Sequence, residues 1–167
     1  FLGDLQPYML NFLENHDEQR FASDFFGGDA HKTFAPLYVS LFLNTAPFMI
    51  YFGEETGERG MDEEGFSGCD GRTTIFDWWS VGSVRRLRKL IASGAYRSDS
   101  ISGLVKGGLK KEEAEIFLQF SKAISFAAED LAIRMGTTYD LCYCNMSSDG
   151  FDKNRHYALL RDYEDHT

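Results

Sequence analysis

The chain holds 167 residues, with 17 basic and 26 acidic side chains and a formal net charge of −9. A field of that sign repels phosphate backbones and acidic membrane surfaces and disfavours strongly anionic substrates; it excludes nucleic acid and membrane as first-choice partners and leaves neutral ligands. Fifteen Phe, eight Tyr and two Trp carry too much buryable surface for an unfolded chain, so a globular domain is expected.

The first apolar run, Tyr8 to Leu13, reads as a strand that ends in Glu14-Asn15-His16-Asp17. The most apolar stretch, Phe34 to Phe52, is long enough on hydropathy alone to suggest a membrane span. Pro36 and Pro47 break it, Asn44-Thr45 marks a turn, and Gly53-Glu54-Glu55 follows at once, so it divides into a buried helix and a buried strand. Thr33 is the expected N-cap, and Pro36 then falls in the first turn, where its missing N–H costs nothing. Phe34, Leu37, Tyr38, Leu41 and Phe42 share one helical face. Phe48 to Phe52 is continuously apolar, as a parallel strand covered on both faces requires. Strand, helix and strand make a βαβ unit, in which chemistry-bearing groups sit past the C-terminal ends of the strands. Asn15-His16-Asp17 and Glu54-Glu55 both hold that place, and the glycine-rich segment Gly53 to Gly71 reads as a binding-face loop.

From Ile75 the pattern is helical again, with Val84, Leu87, Leu90 and Ile91 on one face. Arg85, Arg86, Arg88 and Lys89 form a solvated helix surface rather than a nucleic-acid site on so acidic a chain. Residues 94 to 109, rich in Gly and Ser, read as a connection. A long helix is expected from Lys110 to Met135, with Phe117, Phe120, Ile124, Ala127 and Leu131 on one face, Glu112 and Glu113 in the first turn, and Gly136 as its stop. Thr137 to Asn145 and His156 to Tyr163 then read as two strands around a turn at Ser147 to Asn154. Cys69, Cys142 and Cys144 are an odd number and do not make a disulfide framework. Cys142 and Cys144, two apart on a strand, read as half-buried thiols rather than zinc ligands, and His31, His156 and His166 show no metal spacing.

Phe12-Leu13-Glu14-Asn15-His16-Asp17 resembles the strand-seven motif of the α-amylase family, glycoside hydrolase family 13, whose catalytic domain is a (β/α)8 barrel. The downstream order agrees: Pro47-Phe48-Met49-Ile50-Tyr51-Phe52-Gly53-Glu54-Glu55 resembles the end of the eighth strand, and residues 64 to 68 and 70 to 79 resemble the loop after it. One departure is Asn44-Thr45-Ala46, where the family often has a Gly before the strand-eight Pro. The likeness covers residues 8 to 80 and is architectural beyond them, where the long helix and hairpin resemble the last barrel helix and the start of a C-terminal β domain.

The resemblance implies an α/β fold: the last two βα units of a (β/α)8 TIM barrel over residues 1–136, then the first hairpin of a C-terminal β domain over residues 137–167. Such a barrel needs about 250 residues, so the chain would be a fragment of a glycosidase acting on α-glucosidic bonds of starch-type saccharides by a retaining mechanism. Asp17 would be the family's third carboxylate, which binds sugar hydroxyls at the cleavage point and favours the oxocarbenium-like transition state. His16 would donate to the same sugar, and Asn15, Arg20 and Trp78 would join them in binding substrate. The nucleophilic Asp and the acid/base Glu come from the fourth and fifth strands, so the chain alone is expected to be inactive. The implied partners are an α-glucan or malto-oligosaccharide and either the remainder of the barrel or a second copy of the chain. No cofactor is implied for this stretch, and a calcium ion would belong to the rest of the parent.

The residues alone leave alternatives. His16-Asp17 could serve only loop backbone, Trp78-Trp79 could plug a core instead of stacking on sugar, and Asp62-Glu63-Glu64 reads as a solvated turn rather than calcium ligands. Asp17 could pair with Glu55 as glycosidase carboxylates; the resemblance instead makes Glu55 a tie between loop and barrel rim. A metal-dependent phosphohydrolase would need more His and Asp ligands. The competing class of function is a barrel of the same family that has lost its catalytic acids and serves as a binding or assembly module.

Overall fold

The computed structural model describes residues 3–60, 70–76, 78 and 81–165. The opening apolar run is not one strand: Gly3–Tyr8, with Pro7 inside it, forms a 3-10 turn, and pairing begins only at Asn11–Phe12, strand β1. Helix α1, Phe34–Phe42, follows, and then strand β2, Phe48–Met49. The two strands are parallel, with Asn11 opposite Phe48 and Phe12 opposite Met49. The strand–helix–strand order is therefore present, and the apolar stretch divides at its turn as expected. No helix among the described residues is long and apolar enough to cross a membrane.

β2 is shorter than its apolar run because the Tyr51 N–H leaves the ladder and donates to the Glu54 carboxylate at 3.1 Å. Thr33 is not the side-chain cap of α1. A 3-10 turn, Ala30–Thr33, runs straight into the helix, so the free N–H groups lie further upstream, where the Asp29 carboxylate accepts the His31 N–H at 2.9 Å. Helix α2, Gly82–Ala92, buries Leu90, whereas Ile91, one step of about 100° further round, faces solvent. Residues 94–109 are not mere connection. Ser100 accepts the Gly103 N–H at 3.2 Å and starts helix α3, Ile101–Lys106.

The expected long helix is two: α4, Lys111–Glu129, and α5, Leu131–Met135. Asp130 breaks them apart, extended at φ −78° and ψ 122°, with its carboxylate accepting the Ile133 N–H at 2.9 Å. Strands β3, Thr137–Asp140, and β4, Leu159–Asp162, form the expected antiparallel hairpin. Cys142 and Cys144 do not lie on it. The Asp140 carboxylate accepts the Cys142 N–H at 2.7 Å and turns the chain into a helical turn, α6, Cys142–Asn145, with Cys142 half-buried and Cys144 exposed. Buried Arg161 fastens the hairpin by donating to the carbonyls of Ala132 (3.2 Å), Ile133 (2.7 Å) and Leu43 (3.3 Å).

Leu37 of α1 and Ile116 and Phe120 of α4 centre one core, closed by Ala22, Ala30 and Ala123. Leu13, Phe48 and Ile50 pack against it, but Phe12 is exposed and Phe48 and Met49 are only half-buried, so the expectation of strands covered on both faces is corrected. A second core holds Leu90, Leu104, Leu109 and Ala114. Glu113 joins the two helices beneath it: it accepts Arg86 Nε at 2.8 Å while capping α4 through the Lys110 N–H at 2.9 Å. Glu113→Ala removes both roles. It should lower stability by about 2–3 kcal/mol, the partial exposure of Arg86 keeping the loss below that of a fully buried pair. Glu113→Gln, which keeps the cap and loses the charge, should cost about half as much. Denaturant midpoints of the two variants check the order.

Candidate active-site loop

Past Phe12 the chain leaves the sheet and makes a loop with a buried base and an exposed crest. The base is two charges: Glu14 is 2% exposed and Arg20 has no exposed surface. Glu14 uses one oxygen for each side of the closure, Oε2 accepting Arg20 Nη1 at 2.8 Å and Oε1 accepting the Phe21 N–H at 2.6 Å. Arg20 spends its remaining donors on neighbouring segments, with Nη2 to the Phe52 carbonyl (2.7 Å) and Nε to Thr73 Oγ1 (2.9 Å). Its guanidinium lies 4.4 Å from the centre of the Tyr51 ring, and the Tyr51 hydroxyl donates to the Thr73 carbonyl at 2.8 Å. The Arg20 N–H donates to the Gly71 carbonyl at 2.7 Å. Gly71 is required there: its φ is +84°, and a Cβ would come within 2.1 Å of Ser23 Oγ.

The crest is shaped locally. Asn15 Oδ1 accepts the N–H of Asp17 (2.7 Å) and of Glu18 (2.9 Å), an Asx turn that lifts His16 and Asp17 out of the fold. Their side chains are 52% and 76% exposed, with Nε2 and Oδ2 3.4 Å apart. The descending limb is held by Gln19 Nε2 on the Asp70 carbonyl at 3.1 Å. Glu18 and Gln19 also line a cleft of about 310 Å3 whose other walls are Phe12, Leu13, Phe21 and Phe26.

Beneath the crest one guanidinium serves several acids. Burial raises the pKa of Glu14, and the bonds from Arg20 and the Phe21 N–H oppose the rise. Glu54 is 2% exposed, and its Oε1 has no hydrogen-bond partner; burial, reinforced by the charge of Glu14, pushes its carboxyl up to about 8. Burial also raises Glu55, whose Oε2 has no hydrogen-bond partner. Glu55 faces an apolar pocket of about 430 Å3 with Ile50, Phe52, Phe117 and Phe120, and Asp17 does not line that pocket.

Four of the five sequence-chosen site residues thus come together, with different roles. His16 and Asp17 are presented, Asn15 builds the turn, and Arg20 lies wholly beneath it, a correction to the expectation that it touches substrate. Trp78, on the segment that continues from Thr73 and Thr74, is partly exposed. Trp79, Cys69, His166 and residues 62–68 lie outside the described residues. Glu14, part of the six-residue motif, has a structural role that sequence alone does not assign. Its signal was a Glu and an Arg at the two ends of one polar loop, each followed or preceded by an aromatic or aliphatic run.

Chemically, an imidazole beside a carboxylate offers a donor and an acceptor to adjacent hydroxyls of a neutral polyol. A glycosidase needs a second carboxyl across the bond, about 5–9.5 Å away. Among the described residues no three His, Cys, Asp or Glu side chains are grouped to hold a metal ion. No protein-family model matches the chain, and no solved structure matches it.

Proposed function

We propose that the chain is the C-terminal part of the catalytic barrel of an α-amylase-like glycoside hydrolase, in which Asp17 and His16 hold the hydroxyls of the sugar being cleaved. The observation that carries the reading is the loop: a six-residue motif, Phe12 to Asp17, ends a parallel strand in an exposed His–Asp pair on a buried clip. Glycosidic cleavage would take its nucleophile and its proton donor from other strands of the parent, leaving Asp17 to stabilise positive charge as the sugar ring flattens. The exposed surface also supports a larger body. Leu5, Tyr8 and Leu10, just before β1, and Phe12 on it are all exposed, an apolar patch at the edge of the strand that a neighbouring barrel unit would cover.

The test compares this chain with its complete parent on a short α-linked oligosaccharide, following the anomeric proton by NMR. The parent should release product with retained α configuration. The 167-residue chain alone should show no turnover and should self-associate through the uncovered strand edges and apolar side chains. A parent that binds the saccharide without cleaving it would move the reading to an amylase-like binding module. A monodisperse, cooperatively melting monomer of the chain would remove the argument from its surface.

A further inference from the structure

We infer that Glu14 and Arg20 are positioning residues for Asp17, closing the loop that presents it and fixing that loop against two other segments. The inference rests on the reading of Asp17 as a sugar-binding carboxylate. Arg20 has no exposed surface for a substrate to touch. What it touches defines the crest's place: Glu14 at the loop's entrance, the Phe52 carbonyl in the turn after β2, and Thr73 Oγ1 in the segment beyond. The Asx turn at Asn15 fixes the shape of the crest but not its tilt, because its two bonds stay within residues 15–18. Tilt is set only where the loop meets the rest of the molecule. Among the described residues those contacts include the Arg20 side chain, held by Glu14, on the Phe52 carbonyl and Thr73 Oγ1, the Arg20 N–H on Gly71 and the Gln19 side chain on Asp70.

Arginine is needed for this. Its planar fork sends three N–H groups in fixed directions to three acceptors, which a single lysine ammonium cannot reach together. A displacement of about 1 Å at a reacting group is enough to cost about a hundredfold in rate, so a loosened clip should act on turnover while leaving the Asn15 turn and the exposed side chains intact.

The experiment is a cycle in the complete parent. The double change Glu14→Leu/Arg20→Met replaces a buried ion pair with apolar groups of similar size, which folds often tolerate, though here it also takes a partner from the Phe21 N–H, the Phe52 carbonyl and the Thr73 hydroxyl. It is measured in the native background and in Asp17→Asn, with kcat, KM and melting temperature for each. In the native background kcat should fall about ten- to a hundredfold with KM changed less than about threefold. In the Asp17→Asn background the same change should remove less than about a further threefold, because the group being positioned is already gone. Equal losses in the two backgrounds, or no loss in the native one, would overturn the inference. If the double variant does not fold, Arg20→Lys, which keeps the charge opposite Glu14 and loses the fork, is read in the same two backgrounds against the same criterion. An Asp17→Asn parent that keeps its kcat would overturn the reading of Asp17 itself, and this inference with it, a result distinguishable because it involves neither Glu14 nor Arg20.

Discussion

Asp17→Asn in the complete parent should lower kcat about a hundredfold to a thousandfold, a loss of about 3–4 kcal/mol, and should move KM far less. The substitution keeps the shape of the side chain and removes its charge. Hydrogen bonds from sugar hydroxyls to a carboxylate strengthen as the ring acquires positive character, so the missing energy belongs to the transition state rather than to the bound substrate. The exposed crest suits this role: with 76% of the side chain open, the carboxylate is free to be covered by the sugar rather than by protein. His16→Asn should cost less, since the amide N–H of Asn can still donate to the sugar hydroxyl. Both variants are measured on a short α-linked oligosaccharide. An Asp17→Asn parent that retains more than about a third of its kcat, a loss well under 1 kcal/mol, would sink the assignment of the site.

The order of elements and the place of the polar loop were legible because they follow from local rules. Apolar run length, the two prolines and the Asn44-Thr45 turn were enough to divide Phe34–Phe52 into α1 and β2 and to put Asn15-His16-Asp17 past the end of a strand. What was not legible is what depends on partners distant in sequence. Arg20 carries the same charge whether it faces a sugar or lies under one, and only its bonds to Phe52 and Thr73, 32 and 53 residues away, decide between them. Asp130 and Ser100 are a different case. Both are local caps, but an apolar period that runs through Asp130, and a Gly- and Ser-rich composition around Ser100, outweighed the single residues that start α5 and α3. Asp140 ended the strand before Cys142 by the same means.

The contribution of Glu54 to stability should fall as the pH rises from about 4.5 to about 8, and Glu54→Gln should abolish that fall. The folded chain holds a proton on Glu54 up to about pH 8, because burial and the neighbouring Glu14 charge oppose its ionisation more than the Tyr51 N–H and Arg20 favour it; Glu55 adds to the opposition. In the unfolded chain the same carboxyl ionises at its ordinary value of 4.5. Between those limits the native state binds the extra proton, so this contribution is fully present below about pH 4.5, declines by about 1.4 kcal/mol per pH unit and is gone above about pH 8. The total is on the order of 3–5 kcal/mol, large against the net stability of a single domain. Gln reproduces the shape and the donor of the protonated acid and still accepts the Tyr51 N–H, yet cannot ionise. The difference in unfolding free energy between Glu54→Gln and the native chain should therefore grow with pH in favour of the variant, from near zero at pH 4.5 to its full value above pH 8. Chemical unfolding of both proteins at half-unit steps across that range measures it. A constant difference would mean that Glu54 ionises in the folded chain as it does in water, and the one guanidinium of Arg20 would then have to serve two buried carboxylates at neutral pH.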